Sequence, residues 1–413
     1  MTGMHTGNTH IRANGEWSER GDVWSFKAML DNPELEGQRP LLDSIITVAN
    51  VLQNNGYKTG MVGKWGLGAP HTNSIPNKKG FDFFYGYNCQ RIAHSYYPTH
   101  LWRNEERHFL NNKLVEKSED LEPGADIYDS SSYKKYNQTD YAPTLMHEEA
   151  LNFIDQNKND KFFLYYASLI PHLALQAPKK WEDYYRVKFG AEEPYTGKSY
   201  YPSLTPKATY AAMISYLDEQ VGELVKKLKD VGKYENTLII FTSDNGPTFL
   251  KEVDTDFFNS AGVLNGSRDR LKGSVNEGGI RVPAIAYWPG KLKPAKLSTP
   301  THVVDWMPTI CAVTGIKFDK DLKWDGINIW PLLNGKGKKD PERILYCKGV
   351  NGNSSALHRW PWKLVKGKDK VQLFNLNTDP IEKEDLAQIQ PDRVRELLKI
   401  LESQASKDNG SLP

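Results

Sequence analysis

One helix–strand unit decides the fold, and it reads SIITVANVLQNNGYKTGMVGKWGLG over residues 44–68. Its first half carries apolar residues at helical spacing and ends in a turn signal: Ile45, Val48, Ala49, Leu52, then Asn54-Asn55-Gly56. This pattern predicts a helix, because residues three and four apart share one helix face. The run Lys58 to Val62 then predicts a short strand, which leads into a glycine-rich loop with a lysine.

The same order of helix and strand recurs along the chain. Helical patterns precede predicted strands at residues 161–169 and 237–242, and an apolar run at 282–288 is followed by a helical pattern at 303–311. Such alternation implies crossover connections and a mostly parallel sheet with helices on both faces. We therefore predict an α/β fold.

The pattern changes after Gly326. Short turns join four strand candidates, at residues 344–348, 355–357, 362–365 and 372–375, and one helix is predicted near 393–401. Strands in series followed by a helix indicate a small antiparallel sheet with one packed helix. We expect a first domain over residues 1–335 and a C-terminal subdomain over residues 336–413.

The composition bounds the possible partners. A formal net charge of +2 over 413 residues gives no general attraction to nucleic acid. The apolar run Phe162 to Ala167 is far shorter than the roughly 20 residues that a membrane-spanning helix needs, and no longer run exists. Cys89, Cys311 and Cys347 follow no metal or redox spacing, so one disulfide is possible and none is required. We expect a soluble globular protein, and the sequence does not indicate its oligomeric state.

Polar and charged residues follow the predicted strands. They are Lys64 after the first strand, His172 after the second, Asp244 and Asn245 after the third, and Lys272 in the loop before the fourth. Ligands of open parallel sheets bind at the carboxyl ends of the strands, so these side chains are expected at one edge of one sheet. Each alone has an ordinary explanation, such as a turn, a surface lysine or a structural histidine. Together they predict an anion site, because Asp and Asn oxygens suit a hard divalent cation, while lysines and a histidine neutralise an oxyanion and protonate a leaving group.

Four motifs in this order resemble the signature set of the arylsulfatase-type sulfatases, in the alkaline-phosphatase superfamily. They are Gly63-Lys64-Trp65-Gly66-Leu67-Gly68, Pro171-His172, Phe241-Thr242-Ser243-Asp244-Asn245-Gly246, and Lys272-Gly273 followed by Glu277-Gly278-Gly279-Ile280-Arg281-Val282-Pro283. Residues 373–387 are similar to the family's C-terminal strand-and-turn motif, so the resemblance runs from Met1 to about Ala387. It implies an alkaline-phosphatase-like mixed sheet, mostly parallel and sandwiched by helices.

The resemblance also implies roles for the site residues. Asp244 and Asn245 match two ligands of a calcium ion, and Lys64 and Lys272 match lysines that contact the sulfate group. His172 matches the histidine that protonates the leaving alcohol. The implied activity is the hydrolysis of aryl or carbohydrate sulfate monoesters with calcium and a formylglycine nucleophile. Export to the periplasm or the cell exterior is expected from the family.

Two departures from the family pattern limit these expectations. Gly66 stands where the family usually has histidine, in a loop expected to touch the nucleophile. No cysteine is followed by Pro two residues on and Arg four residues on, which is the motif that yields formylglycine. Met1-Thr2-Gly3 aligns with the end of that motif, so we expect a truncated sulfatase whose remaining calcium ligands lie upstream. Little or no turnover is expected from residues 1–413.

Two other functions stay open at this point. A pseudoenzyme would keep the lysines and the histidine as a receptor for sulfated glycans, without chemistry. A phosphoester hydrolase of the same superfamily would need more metal ligands than the sequence offers. For the substrate, residues 91–103 supply His94 and Arg103, which suit a sugar ring and a further anionic group. A packed aromatic loop would have the same composition.

Overall fold

The computed structural model describes residues 1–264, 266–317, 322, 324–337, 340, 342–350 and 352–410. Contacts divide the chain into two compact units. The first unit is Asn14–Tyr234, and the second unit joins Met1–Ala13 to Glu235–Pro413. The boundary expected at residue 335 does not coincide with this division and stays a prediction.

A mixed sheet forms the centre of the first unit. In chain order its strands are β1 (Lys58–Lys64), β2 (Phe83–Tyr87), β3 (His100–Arg103), β4 (Glu106–Phe109) and β5 (Phe162–Ala167). Among the described residues of this unit, the order across the sheet is β4-β3-β2-β1-β5. β1 runs parallel to β2 and to β5, whereas β3 and β4 add an antiparallel edge. The predicted α/β class, with a mixed and mostly parallel core sheet, is confirmed.

The described part of the first unit contains five α-helices, and the apolar spacing predicts the second, third and fifth of them. They are α1 (Phe26–Asp31), α2 (Val48–Gln53), α3 (Ala142–Gln156), α4 (Lys179–Phe189) and α5 (Pro206–Asp230). α2 begins at a capping box in which Thr47 and Asn50 bond each other's backbone N–H groups. The ring of Phe153 on α3 lies so close to Gly60 of β1 that a Cβ there would stand 2.6 Å from it. The quoted stretch therefore folds into the predicted helix and strand.

In the second unit, a strand pair departs from prediction. The elements up to residue 333 are β6 (Ile239–Thr242), α6 (Thr255–Phe258), α7 (Glu277–Ile280), β7 (Ala284–Tyr287), α8 (Trp306–Thr314) and α9 (Trp330–Leu333). β6 and β7 pair antiparallel in a two-stranded sheet, so the expectation that these strands join the mostly parallel sheet is wrong. The physical reason is their connection: the described residues 243–264 and 266–283 form turns and short helices rather than the long crossover helix that usually joins parallel strands.

The C-terminal part of the second unit follows the prediction closely. Its strands are β8 (Ile344–Lys348), β9 (Ser355–Arg359), β10 (Trp362–Lys366) and β11 (Val371–Asn375), and α10 (Pro391–Ala405) comes after them. All the pairings are antiparallel, in the order β11-β10-β9-β8. α10 packs on the sheet through Leu397 and Leu401, which share a buried apolar cluster with the strands. The small antiparallel sheet with one helix is confirmed.

The opening stretch of the chain is tied into the second unit. The His5 N–H and the Asn8 side-chain amide donate to the Asp325 carboxylate at 2.8 and 2.7 Å. The Asn409 N–H donates to the Gly7 carbonyl at 3.0 Å. A loop rich in Thr, Gly, His and Asn is thus held by side-chain and backbone hydrogen bonds rather than by a helix or strand.

All three cysteines are free thiols, so none forms a disulfide. Among the described residues, no helix combines the length and the apolar character that crossing a membrane requires.

Candidate active site

Lys64 stands at the carboxyl end of β1, beside Tyr87 of β2. The residue before it, Gly63, has a φ of +115°, and a Cβ there would stand 2.0 Å from the Ala167 carbonyl oxygen of β5. The loop after it is fixed by the Trp65 N–H, which donates to the Tyr87 carbonyl at 2.9 Å. The backbone conformation at Lys64 is therefore fixed by its neighbours on both sides.

Gly66 explains one departure from the family pattern. Its φ is +78°, in the left-handed region that favours glycine, and its N–H donates to the Asn88 carbonyl at 3.2 Å. A Cβ at this position would lie 3.3 Å from the Cβ of Gln90. Histidine here would therefore carry both backbone strain and a tight contact in this loop conformation.

His172 follows β5, at the same edge of the first unit's sheet as Lys64. Its Nδ1 lies 2.6 Å from the Leu173 carbonyl oxygen, a geometry that assigns the Nδ1 proton to this hydrogen bond. Its own carbonyl accepts a hydrogen bond of 2.8 Å from the hydroxyl of Tyr96, which is fully buried. Backbone and ring are thus both oriented, and Nε2 is the nitrogen through which this imidazole would exchange a proton with a substrate.

Two aromatic rings hold His172. The imidazoles of His94 and His172 stack with centroids 5.4 Å apart and planes 4° apart. Tyr200 lies edge-on to both, at 5.3 and 6.0 Å. The sequence predicts His94 as a substrate contact but gives no signal for Tyr200, because a tyrosine 28 residues beyond His172 does not differ in pattern from other tyrosines.

Arg103, the other predicted substrate contact, is engaged with a carboxylate. Its two terminal nitrogens lie 3.1 and 2.5 Å from the carboxylate oxygens of Glu149 on α3, and its guanidinium carbon lies 4.8 Å from the ring centre of Tyr85. The hydrogen bonds to Glu149 raise the pKa of Arg103. Its role with substrate stays a prediction.

Asp244 and Asn245 lie in a tight turn after β6, in the second unit. The Ser243 hydroxyl donates to the Asn245 carbonyl, and the Asn245 amide nitrogen donates to the Gly246 carbonyl, both at 2.9 Å. The Gly246 N–H donates to the Gly279 carbonyl at 2.9 Å, and a Cβ on Gly246 would stand 1.9 Å from the Gly278 carbonyl oxygen. Only glycine allows the two chain segments to approach this closely.

The Lys272 loop joins the same turn. The backbone N–H of Lys272 donates to the Pro247 carbonyl at 3.1 Å. The second unit thus brings together the backbone of Asp244, Asn245 and Lys272, as the first unit brings Lys64 and His172 to the ends of adjacent strands. The expectation that all five follow one edge of one sheet is wrong for the Asp244–Asn245 turn, because β6 belongs to the separate β6–β7 sheet.

A buried ion cluster anchors the Lys272 loop, and the sequence analysis missed it. Glu277 lies 2.9 Å from the ammonium of Lys363 on β10, which also contacts Glu382 at 2.8 Å. Lys363 is fully buried, and the Glu277 N–H donates to the Glu382 carboxylate at 2.8 Å. Burial opposes ionisation of Glu277, but the charge of Lys363 outweighs it and holds the Glu277 pKa below its ordinary value.

The residues present fit a divalent cation in kind. The Asp244 carboxylate and the Asn245 amide oxygen are the hard oxygen donors that Ca²⁺ and Mg²⁺ take. Among the described residues, no group of three or more His, Cys, Asp or Glu side chains is placed to hold a metal. A divalent cation held by Asp244 and Asn245 would therefore need further ligands.

Comparison with known proteins defines the class. The family model described as Sulfatase matches residues 25–316, so this chain belongs to the sulfatase family, whose members generally use a divalent metal. The chain is 28% identical to arylsulfatase J of Mus musculus over 408 residues, covering 86% of this chain and 61% of that protein. It is 29% identical to arylsulfatase A of Homo sapiens over 327 residues, covering 76% and 56%. The chain thus spans less than two thirds of these relatives.

A solved structure supports the fold. The crystal structure of Ps i-CgsB in complex with k-i-k-neocarrahexaose superposes with a TM-score of 0.72 at 24% identity, over 99% of this chain and 81% of that one. The likeness bears on the architecture. The alkaline-phosphatase-like fold expected from the motifs is confirmed.

Proposed function

We propose that this sulfatase hydrolyses sulfate monoesters of aryl or carbohydrate alcohols. The observation that carries the proposal is that Lys64 ends β1 and His172 lies five residues after the neighbouring strand β5, with the His172 Nδ1 bonded to a backbone carbonyl. A cation and an oriented proton donor are what cleavage of a sulfate ester requires, because charge develops on the leaving oxygen.

The charged residues of the chain have two roles, which are to neutralise the sulfate group and to protonate the leaving alcohol. The ammonium group of Lys64 neutralises a sulfate oxygen. His172, as imidazolium, keeps one N–H on the Leu173 carbonyl and gives the Nε2 proton to the leaving alcohol oxygen as the S–O bond breaks. With water as acceptor, the balanced products are the alcohol and hydrogen sulfate. The formylglycine nucleophile and export from the cytoplasm, both expected from the family resemblance, stay predictions.

We assign the family's divalent metal to calcium, with Asp244 and Asn245 among its ligands. The Asn245 amide nitrogen is engaged with the Gly246 carbonyl, so its Oδ1 is the atom suited to a cation. When bound, the ion polarises a sulfate oxygen. Calcium titration of residues 1–413 should give a calorimetric signal that Asp244→Ala abolishes. An unchanged signal in that variant contradicts the assignment.

The proposal is tested by the choice of ligand. Residues 1–413 are titrated with 4-methylumbelliferyl sulfate, its phosphate analogue and the free alcohol, with calcium present, while release of the fluorescent alcohol is recorded. The sulfate ester is expected to bind at least tenfold tighter than the alcohol. Tighter binding of the phosphate ester would point to a phosphoester hydrolase. Equal binding of ester and alcohol would overturn the proposal.

A further inference from the structure

A group of cations surrounds the exposed indole of Trp24 in the first unit. The guanidinium carbon of Arg91 lies 5.1 Å from the indole ring centre, and the ammonium of Lys117 lies 4.4 Å from it. Trp24 is 46% exposed, although it stands between two charged side chains. The indole therefore offers an aromatic surface to solvent with positive charge beside it.

The charges of this group do not balance. Arg91 is fully buried, and one of its terminal nitrogens pairs with Glu16. Its Nε and Nη2 have no hydrogen-bond acceptor among the described residues. Burial and the charge of Arg91 lower the pKa of Lys117, as expected for an ammonium beside an under-compensated cation. The Glu16 carboxylate is thus the counter-charge for both Arg91 and Lys117.

The arrangement is held in place by a neighbouring residue. Glu116 accepts hydrogen bonds from the Ser25 hydroxyl at 3.1 Å and from the N–H groups of Phe26 and Lys27 at 2.9 and 2.7 Å. These bonds fasten the segment that carries Lys117 to the start of α1, directly after Trp24. Three donors at the start of α1 bond to the Glu116 carboxylate. Its negative charge is therefore used at the helix N-terminus rather than on Lys117.

The group adjoins the candidate active site within the same unit. The His94 N–H donates to the Arg91 carbonyl at 3.0 Å, so one turn carries both Arg91 and the imidazole that stacks on His172. The Gln90 amide bonds Glu16 at 2.6 Å, and the Cβ of the same Gln90 faces Gly66 in the Lys64 loop. Arg91 and Gln90 therefore connect the surroundings of Trp24 to the loops that carry His94 and Lys64.

We propose that Trp24 and Lys117 form a subsite for an anionic sugar ring of a sulfated glycan, an inference that rests on the proposed function. The C–H face of the sugar stacks on the indole, as apolar surface on an aromatic ring. A sulfate or carboxylate substituent forms an ion pair with the Lys117 ammonium. The positive charge of the buried Arg91 adds a longer-range attraction. The substrate of the site is on this basis an oligosaccharide with more than one anionic group.

The test compares two ligands on residues 1–413 by calorimetry. They are a tetrasaccharide with a sulfate ester on each sugar and 4-methylumbelliferyl sulfate, and the same tetrasaccharide without sulfate serves as a third titrant. Trp24→Ala and Lys117→Gln are each expected to reduce the preference for the sulfated tetrasaccharide over the aryl sulfate at least tenfold. Lys113→Gln, on the same segment, is the control and should keep the preference.

The outcomes separate this inference from the proposed function. If the aryl sulfate binds and neither variant changes the preference, the subsite is overturned while the function stands. If the aryl sulfate fails to bind but the tetrasaccharide binds through Trp24 and Lys117, the function fails and the subsite stands. Equal affinity for the sulfated and desulfated tetrasaccharides overturns the subsite, because its charge would then play no part. Trp24→Phe should retain more of the preference than Trp24→Ala, since it keeps an aromatic ring.

Discussion

The two units fix their candidate catalytic groups in different ways. In the first unit, side chains hold His172: His94 stacks on it, Tyr200 lies edge-on, and a carbonyl takes Nδ1. In the second unit, the backbone holds the Asp244–Asn245 turn, through the close approach of Gly246 to Gly278. A set of contacts between rings can relax when one ring is removed, whereas a close backbone crossing cannot.

The second unit also depends on residues far from its turn. The loop that carries Lys272 continues to Glu277, whose partner Lys363 lies on β10 of the C-terminal sheet. We conclude that the antiparallel sheet stabilises the loop of a candidate catalytic lysine. Substitutions in the second unit should therefore mainly lower the free energy of unfolding. Substitutions around His172 should mainly change the orientation of its ring.

The largest effect is expected from Lys363→Met. The change leaves Glu277 and Glu382 buried without their shared cation, which costs about 3–5 kcal/mol of the free energy of unfolding. Urea denaturation measures it. Lys366→Met is the control on the same strand, because Lys366 pairs with Glu402 at the surface and its loss should cost less than about 1 kcal/mol. Equal losses in the two variants would contradict the role given to the buried cluster.

Gly246→Ala should come next. The added methyl would collide with the Gly278 carbonyl, so the turn must open and lose its hydrogen bond to Gly279, at a cost of about 3 kcal/mol. Gly222→Ala on α5 is the matched control, since its Cβ meets nothing within 4 Å and alanine favours a helix. It should stabilise by about 0.5–1 kcal/mol. A neutral Gly246→Ala, measured in the same denaturation series, would show that the crossing is not tight.

A smaller effect follows from pH. Burial first, and then the charge of Lys363 across β9 and β10, lower the pKa of His358 to about 3. In the unfolded chain this histidine binds a proton near pH 6.5, whereas in the folded chain it stays neutral down to about pH 3. Its contribution to the free energy of unfolding is therefore fully present above pH 6.5 and is lost as the pH falls toward 3. Between pH 7 and pH 5 this histidine should account for about 2 kcal/mol. His358→Gln should remove that share of the slope, and parallel pH profiles for variant and parent would contradict the burial argument.

The smallest effect is expected at the rings around His172. Tyr200→Leu removes an edge-on contact with both imidazoles and should cost about 1 kcal/mol in stability. Nitrogen chemical shifts of the His172 ring report its tautomer, and they should show Nδ1 protonated in the parent. Tyr200→Phe keeps the ring and should lose less stability than Tyr200→Leu. A parent spectrum with the proton on Nε2 alone would refute the hydrogen bond to Leu173.

Much of the architecture could be predicted because it rests on local patterns. The apolar spacing gave α2 and β1 correctly, and the predicted strand 344–348 has the bounds of β8. The direction of β7 could not be read, because orientation depends on how residues 243–283 pack and they carry no helical period. Pattern and propensity report on neighbours in sequence, whereas strand direction is a tertiary property.

For the candidate site too, some residues could be predicted from sequence patterns and others could not. Glycines and polar residues after strands pointed to Lys64, His172, Asp244, Asn245 and Lys272. The residues that support them could not be found, since Tyr200 and Lys363 resemble ordinary tyrosines and lysines and their partners lie far away in sequence. The pairing of Trp24 with Lys117 is hidden for the same reason, because the contact forms only when Glu116 is bonded to the start of α1.

The central claim is that Lys64 of the first unit binds the sulfate group of an ester. It is tested most directly by the dissociation constant of 4-methylumbelliferyl sulfate for Lys64→Ala, compared with the parent chain in the presence of calcium. We predict that the substitution weakens binding at least tenfold, about 1.4 kcal/mol, while Lys58→Ala at the other end of β1 changes it less than twofold. A dissociation constant for Lys64→Ala within twofold of the parent would contradict the account.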